Sequence, residues 1–268
     1  MNHLIIQARM GSSRFPGKVL EKINNKPCLL ILMERVSLAK MVDKITIATT
    51  KKKIDQDIVN FCKKHNFSFF RGSENDVLKR YYDCANKYKS DTIIRITSDC
   101  PLIDPEIVDQ MIKLFYEKNV DYAANTIPPK TRKWPDGSDV EVFSKSALKK
   151  AFLYAKNEER EHVTFYFWKS KANFKLVQLG NKYNWSQYRY TLDYEEDLVR
   201  IKNIISYLNK KKIFGYTKEI IEIIKNDIKE KKLDEKFDFG YGWNKKKKIS
   251  LRKNYKIRKS LLPLGHLI

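Results

Sequence analysis

No apolar run in this chain approaches the ~20 residues needed to cross a bilayer, and its first residues lack a basic segment followed by an apolar one. A membrane span and a secretion signal are therefore not expected, and a cytoplasmic location is. Cysteine is scarce: Cys28, Cys62, Cys84 and Cys100 are the four present, and no pair falls in C-x-x-C spacing. That pattern argues against a zinc site and for reduced thiols. Acids are also in short supply. Against 54 Lys and Arg stand 32 Asp and Glu, a net charge of +22. Such an excess raises nucleic acid or an anionic surface as a partner. Yet the chain lacks any helix-turn-helix, zinc-finger or RNA-binding aromatic signature, and the charge is unevenly placed. Residues 244–268 hold nine cations and no acid, which leaves +13 for the rest. Much of that remainder is lysine on expected helix faces, as at 51–53 and 210–212. The reading is a solvated, lysine-biased surface with no specific nucleic-acid partner. A basic nucleic-acid binder stays as the non-enzyme alternative, recognisable by steeply salt-dependent binding.

What is present is the composition of a folded domain. The 268 residues suffice for one large domain or two small ones, and 42% hydrophobic content excludes global disorder. Strand and helix patterns alternate through the first half. Residues 4–8, 44–49, 67–70 and 92–97 read as short buried strands, with helical patterns at about 27–40, 54–65 and 75–88. Pro105 then opens a helix to about 118, capped by Asp104. The alternation predicts an α/β fold, a mostly parallel Rossmann-like sheet with helices on both faces. Ligands in such folds sit at the carboxyl ends of the strands. The middle, 119–190, is less regular. It reads as turns at 127–129 and 134–137, strands at 139–143 and 174–179, and helices at 144–155 and 158–169. Helices at 195–208 and 217–231 close a domain of residues 1–232. Residues 233–268 form a basic extension whose aromatic stretch 237–243 is expected to pack in part. No internal repeat is evident.

The most informative segment is IIQARMGSSRFPGKVL, residues 5–20. An apolar strand ends in a loop bearing Arg9, Gly11, Ser12, Ser13, Arg14, Gly17 and Lys18. Glycines let a backbone approach a ligand and turn its N–H groups inward. Arginine forks match phosphate oxygens, and lysine adds a point charge. The pattern is that of a polyphosphate-binding loop. It is not a P-loop: five residues separate Gly11 from Gly17, and Val19 stands where a hydroxyl would follow the lysine. The dinucleotide pattern G-x-G-x-x-G is also absent.

The stretch A-R-x-G-S-x-R-x-P-G-K resembles the opening of the cytidylyltransferases that make CMP-activated acidic sugars. Its closest likeness is to the spore-coat polysaccharide branch, related to the CMP-Kdo and CMP-sialic acid synthetases. Further blocks follow in the family's order: ITIATT at 45–50, FRGSENDVLKRYYDCA at 70–85, IIRITSDCPLIDP at 93–105, PDGSDVEVFS at 135–144, REHVT at 160–164 and YTLDYEEDL at 190–198. The likeness spans about 3–205. It implies a sheet of the nucleotide-diphospho-sugar transferase type, with the middle region shaping a sugar site and supplying an arm for a homodimer. The implied activity is Mg²⁺-dependent transfer of CMP from CTP to an acidic, ulosonic-acid-like sugar for surface polysaccharide, releasing pyrophosphate. The enzyme alternative is a glycosyltransferase or another nucleotidyltransferase on the same scaffold. A glycosyltransferase would carry a D-x-D motif after a nucleotide-binding strand, and Asp99 stands alone there.

Nucleotidyl transfer needs a clamped triphosphate, a divalent metal at the α-phosphate and an attacking oxygen held in line. Asp99 ends a run of buried strand residues, a costly place for a carboxylate without a partner, which makes it the first metal candidate. Asp193 is the second. The resemblance gives it the metal role, while Glu195 to Asp197 are assigned to a helix start. Arg9, Arg14 and Lys18 are expected on the β- and γ-phosphates, with Gly11 and Ser12 adding neutral donors. By resemblance, Gln7, Ala8, Ala48 and Thr49 line the cytosine and ribose pocket, with Arg71 and Arg95 beside them. Asp136, Asp139 and Glu141 are the candidates for sugar hydroxyls. Asp139 and Glu141 would share a strand face. Arg160, ranked above His162, is the candidate for the acceptor's carboxylate.

Overall fold

The computed structural model describes residues 1–168 and 173–226 together with a strand at 258–260. Strand β1 (Asn2–Gln7) is built on Leu4, Ile5 and Ile6, each fully buried because the strand is covered on both faces. A short antiparallel pair follows, β2 (Lys22–Ile23) and β3 (Lys26–Pro27), then helix α1 (Cys28–Val36). Next come β4 (Lys44–Thr50), α2 (Gln56–Lys64), β5 (Phe69–Gly72), α3 (Val77–Lys87), β6 (Thr92–Thr97) and α4 (Pro105–Glu117). Two of these helices start on side-chain caps that sequence chemistry favours. Asp76 accepts from the Lys79 amide at 2.8 Å, and Asp104 accepts from the Glu106 amide at 2.9 Å with Pro105 in the first turn.

The middle region is not a separate body. Its strands β7 (Tyr122–Ala124), β8 (Glu141–Ser144) and β9 (Leu176–Leu179) continue the same sheet. With β10 (Arg258–Ser260) at the edge, the order is β10-β9-β7-β8-β6-β1-β4-β5. All pairings in it are parallel except those of β8 with β6 and β7. Helices α5 (Lys145–Tyr154) and α6 (Glu158–His162) follow β8, and α7 (Glu195–Lys211) and α8 (Thr217–Asn226) follow β9. One face of the sheet packs on α1, α2 and α4, and the other on α3 and α5. A third cluster seats α7 and α8 against Phe15, Leu102, Tyr190 and Leu192. No helix among the described residues is long and apolar enough to cross a membrane.

Three expectations shift. The helix expected over 158–169 stops at His162, because Val163 takes a left-handed φ of 59° while its side chain is fully buried; a short 3-10 turn, Phe165–Trp168, replaces the rest. The strand expected from 139 begins at Glu141, because the Asn125 side chain accepts from the Val140 amide at 2.9 Å and holds the residues before it in a loop. Strand β7, three residues long, has no counterpart among the expected strands. Most of the basic extension 233–268 lies outside the described residues, as does the end of the helix expected to reach 231.

His3, fully buried on β1, is bonded through Nδ1 to Ser90 Oγ (2.7 Å) and through Nε2 to Thr46 Oγ1 (2.8 Å). Burial, helped by Lys44, pushes its pKa down to about 4 from 6.5. Above 6.5 the folded and unfolded forms are both neutral. Between about 6.5 and 4 the unfolded chain takes up a proton that the folded one refuses, so stability is lost as pH falls through that window. Against a His3→Gln variant, the wild type is expected to lose up to about 1.4 kcal/mol per pH unit there, read from urea melts at stepped pH.

Candidate active site

The first strand ends at Gln7, and the next residue, Ala8, donates its amide to Ala48 O (3.2 Å). The chain then leaves the sheet as a tight loop. The amides of Ser12 and Gly17 both bond Met10 O at 2.9 Å, and Ser12 Oγ accepts from the Phe15 amide at 3.3 Å. Gly17 adopts a φ of +76°, the left-handed region open to glycine, and this turn launches Lys18 inward. The loop is moored from outside by Asp55, whose carboxylate accepts the Met10 amide at 2.7 Å and the Thr50 hydroxyl.

Lys18 is 7% exposed. Its ammonium donates to Leu192 O at 2.6 Å and Asp193 Oδ1 at 2.9 Å, and lies 3.5 Å from Asp99 Oδ2. Arg14 reaches the same Asp193 oxygen at 2.7 Å. Asp99 follows β6, and its carbonyl accepts the Leu192 amide (2.7 Å) and the Thr191 hydroxyl (3.0 Å), which draws the segment before α7 against it. Asp193 thus stands beside Asp99 although 94 positions separate them in the chain. Burial opposes charge on Lys18, but Asp99 and Asp193 outweigh it and raise its pKa. Burial would raise Asp99; Lys18, then the Thr97 hydroxyl, reverse the sign and hold it below the usual carboxylate range.

Behind this triad lies a network that sequence reasoning misses. Arg189 donates to both oxygens of Asp197 (3.1 and 2.6 Å) and to Asp136 (2.9 Å). Asp197, fully buried, also accepts the amides of Asp193 and Tyr194 at 2.8 and 2.9 Å. It sits at the start of α7, as expected, and also fixes the backbone that carries Asp193. Asp136 sits in the turn before β8. There Gly137, at φ +106°, approaches so closely that a Cβ would meet Thr191 N at 2.6 Å. Asp139 accepts from Thr126 Oγ1 (2.6 Å) and the Gly137 amide (2.9 Å). Burial, then Asp139, push Asp136 up to about 8, and burial likewise raises Asp139. Arg132 bears on both as a partly compensating cation.

The other expected site residues fall elsewhere. Glu141 does not share a face with Asp139. It pairs with Arg95, its register partner on β6, and accepts from Tyr122 Oη, inside the layer under α3 and α5. Arg71 staples the loop after β4, donating to Thr50 O, Gln56 Oε1 and Lys52 O at 3.0 Å each. Arg160 holds a carboxylate of the protein's own, Asp76 at 2.8 Å. It also donates to Phe152 O and clamps α5 and α6 onto the cap of α3. His162 stacks on Phe165 with centroids 4.2 Å apart. Arg9 and Gly11 stay at the exposed lip of the loop, while Ala48 and Thr49 are fully buried at the end of β4.

The architecture is that of a Rossmann-like nucleotidyltransferase, with a basic loop after β1 facing carboxylates after β6 and before α7. The cytidylyltransferase family model matches residues 3–257, and the chain belongs to that family. The match runs well past position 205, where the motif blocks end, into the basic extension. Among relatives, the spore coat polysaccharide biosynthesis protein SpsF of Bacillus subtilis is 35% identical over 206 residues, covering 74% of this chain and 83% of that one. An uncharacterized protein of Methanocaldococcus jannaschii, MJ1063, is 42% identical over 176 residues, covering 65% and 70%. A cytidylyltransferase structure from Leptospira borgpetersenii superposes with a TM-score of 0.78 at 36% identity, covering 84% of this chain and 93% of that one. A CMP:2-keto-3-deoxy-manno-octonic acid synthetase shares the fold, with a TM-score of 0.60 at 16% identity, covering 77% and 98%.

Two substitutions test this geometry. Arg189→Met removes the guanidinium that pairs with Asp197 and Asp136 in a buried network, so a stability loss of about 3–5 kcal/mol is expected in urea melts. Lys18→Ala should weaken CTP and pyrophosphate binding at least about tenfold more than CMP binding by calorimetry, as expected when a charge faces the β- and γ-phosphates.

Proposed function

We propose that the chain transfers CMP from CTP to an acidic, ulosonic-acid-like sugar, with Mg²⁺ held by Asp99 and Asp193. The observation that supports this reading is the convergence of Lys18 and Arg14 from the first loop on two carboxylates from distant stretches of the chain. Among the described residues no cluster of three or more His, Cys, Asp or Glu side chains forms a metal cage. Two hard carboxylates without a closed cage suit an ion that takes its remaining ligands from phosphate oxygens and water. Bound there, Mg²⁺ would supply Lewis-acid stabilisation of charge at the α-phosphate.

The chain's own residues account for the rest. Arg9, Arg14 and Lys18 offer cations to the β- and γ-phosphates, and the amides of the 9–18 loop add neutral donors. Lys18 keeps the two carboxylates together against their mutual repulsion. The sugar hydroxyl oxygen forms a bond to the α-phosphorus, the bond to the bridging oxygen of the β-phosphate breaks, and pyrophosphate leaves as the hydroxyl proton is lost. Cations held beside that pyrophosphate would stabilise the charge that develops on it. Asp136 and Asp139, in electrostatic reach of Asp193 and Asp99, are placed to accept from sugar hydroxyls, with Arg132 beside them for a carboxylate. The acidic acceptor is supported by the relatives. Besides SpsF they include an 8-amino-3,8-dideoxy-manno-octulosonate cytidylyltransferase of Shewanella, 36% identical over 125 residues, about half of that protein's length. A cytoplasmic homodimer belongs to the same reading, the dimer being open to sedimentation velocity.

Pyrophosphate release from CTP and Mg²⁺ against a panel of ulosonic, uronic and neutral sugars tests the reaction. Release with ulosonic acids is the expected result, and a preference for neutral sugars overturns the acceptor. Asp99→Asn keeps the size of the side chain and removes its charge. Turnover should fall by about a hundredfold or more while the fold and some of the CTP affinity persist. A folded variant with wild-type turnover removes Asp99 from the metal site.

A further inference from the structure

The Arg189 side chain is 5% exposed, and its guanidinium divides its nitrogens between two parts of the site. Nε and Nη2, along one edge, hold the two oxygens of Asp197, while Nη1 holds Asp136 Oδ2. Nη2 also lies 3.8 Å from Asp193 Oδ2. Buried ion pairs of this kind are weak evidence for stability, because apolar side chains of similar volume often do as well or better. What an apolar side chain cannot do is fix directions. A planar fork holds its acceptors at a set angle to one another, which a point charge on a flexible stem does not.

The two ends of this bridge belong to different halves of the proposed reaction. Asp197 Oδ2 accepts the amides of Asp193 and Tyr194, so it sets the backbone from which the Asp193 side chain springs. Asp136 stands in the turn before β8, among the groups placed for the acceptor. That turn is packed tightly on the chain around Arg189. The Asp136 amide donates to Tyr188 O at 3.0 Å, the Tyr190 amide donates to Asp136 O at 2.8 Å, and a Cβ on Gly137 would stand 2.6 Å from Thr191 N. Arg200 Nη1 in turn donates to Arg189 O at 2.6 Å. A shift of the Asp136 carboxylate therefore reaches the Asp193 backbone through one rigid group, the guanidinium, and one buried carboxylate, Asp197.

We infer that Arg189 is a positioning residue that ties the acceptor turn to the metal-binding carboxylate, so that its hold on Asp136 sets how tightly Asp193 takes Mg²⁺. The inference rests on the reading of Asp99 and Asp193 as the Mg²⁺ carboxylates and deepens it. Groups that orient a metal's ligands without touching the metal commonly carry about ten- to a hundredfold of its affinity. Coupling between two sites is reciprocal, so Mg²⁺ on Asp193 also steadies the turn that receives the sugar.

Calorimetric titration of CTP at stepped Mg²⁺, with no sugar present, gives the Mg²⁺ concentration at which CTP binding is half maximal. Wild type is compared with Arg189→Lys, Asp136→Ala and Asp136→Asn, each shown to be folded by its urea melt. Arg189→Lys keeps the charge and loses the fork, and should raise the Mg²⁺ midpoint about tenfold or more. Asp136→Ala leaves the fork on Asp197 and removes the acceptor of Nη1. It should raise the midpoint about threefold or more, although Asp136 itself holds no metal in this reading. Asp136→Asn keeps an acceptor for Nη1 without the charge, so its midpoint should stay near that of wild type. A shift as large in Asp136→Asn as in Asp136→Ala means charge acting through space, and overturns the inference. A loss of CTP affinity at saturating Mg²⁺ with the midpoint unmoved is the mark of a merely structural role, and overturns it too. Should Arg189→Lys fail to fold, the two Asp136 variants decide alone. A Mg²⁺-dependent wild type with unmoved midpoints in the variants overturns this inference and leaves the enzyme reading intact. Wild-type CTP binding that does not depend on Mg²⁺ overturns the metal reading and this inference with it.

Discussion

The ammonium of Lys18 lies where three oxygens converge, the carbonyl of Leu192 at 2.6 Å and the carboxylates of Asp193 and Asp99 at 2.9 and 3.5 Å. Buried to 7% exposure, it cannot be left without those acceptors, and the carboxylates cannot stand together without it. The contact joins the first loop, the turn after β6 and the entry to α7. Those three stretches reach the carboxyl edge from opposite ends of the chain.

Arg189 supports that contact from the layer behind it. By holding Asp197 and Asp136 it fixes both the backbone amides that carry Asp193 and the turn that carries Asp136. Gly137 completes the arrangement, since any Cβ there would strike the backbone of Thr191. The result concentrates four carboxylates, Asp99, Asp136, Asp139 and Asp193, around a few buried cations. Burial pushes Asp136 and Asp139 up, while at Asp99 it is outweighed by Lys18, which holds that carboxyl low. A region built this way favours ligands that bring cations or hydroxyl donors to it.

The arginines of this molecule differ in their partners in a way that sequence position alone does not reveal. Arg71, Arg95 and Arg160 all lie in blocks that resemble the family's, yet each is bonded to the protein itself. Their forks satisfy backbone carbonyls, a loop side chain or a neighbouring carboxylate. Arg9 stays exposed at the loop lip, and Arg80 is buried without a described hydrogen-bond partner. The difference lies in which acceptors the neighbouring strands and caps present.

The order of strands and helices through the first half was legible because each strand is a short apolar run buried on both faces, and Asp76 and Asp104 cap their helices by local chemistry. The Arg9–Lys18 loop was legible for the same kind of reason: its glycines, hydroxyls and cations are contiguous in the chain. Asp99 showed itself as a carboxylate ending a buried strand. The structural roles of Arg189, Asp55 and Asp197, and the unpartnered state of Arg80, were not legible, because a buried polar group is defined by partners that lie far away in sequence. Strand β7 was hidden by its length, and the place of Glu141 by a cross-strand register that pairs it with Arg95. Local propensity and periodicity are properties of neighbouring residues, so the sequence by itself determined the α/β alternation and the basic loop. Which carboxylates meet which cations was decided by the tertiary structure, since only the packed sheet brings Lys18, Asp99 and Asp193 within reach of one another.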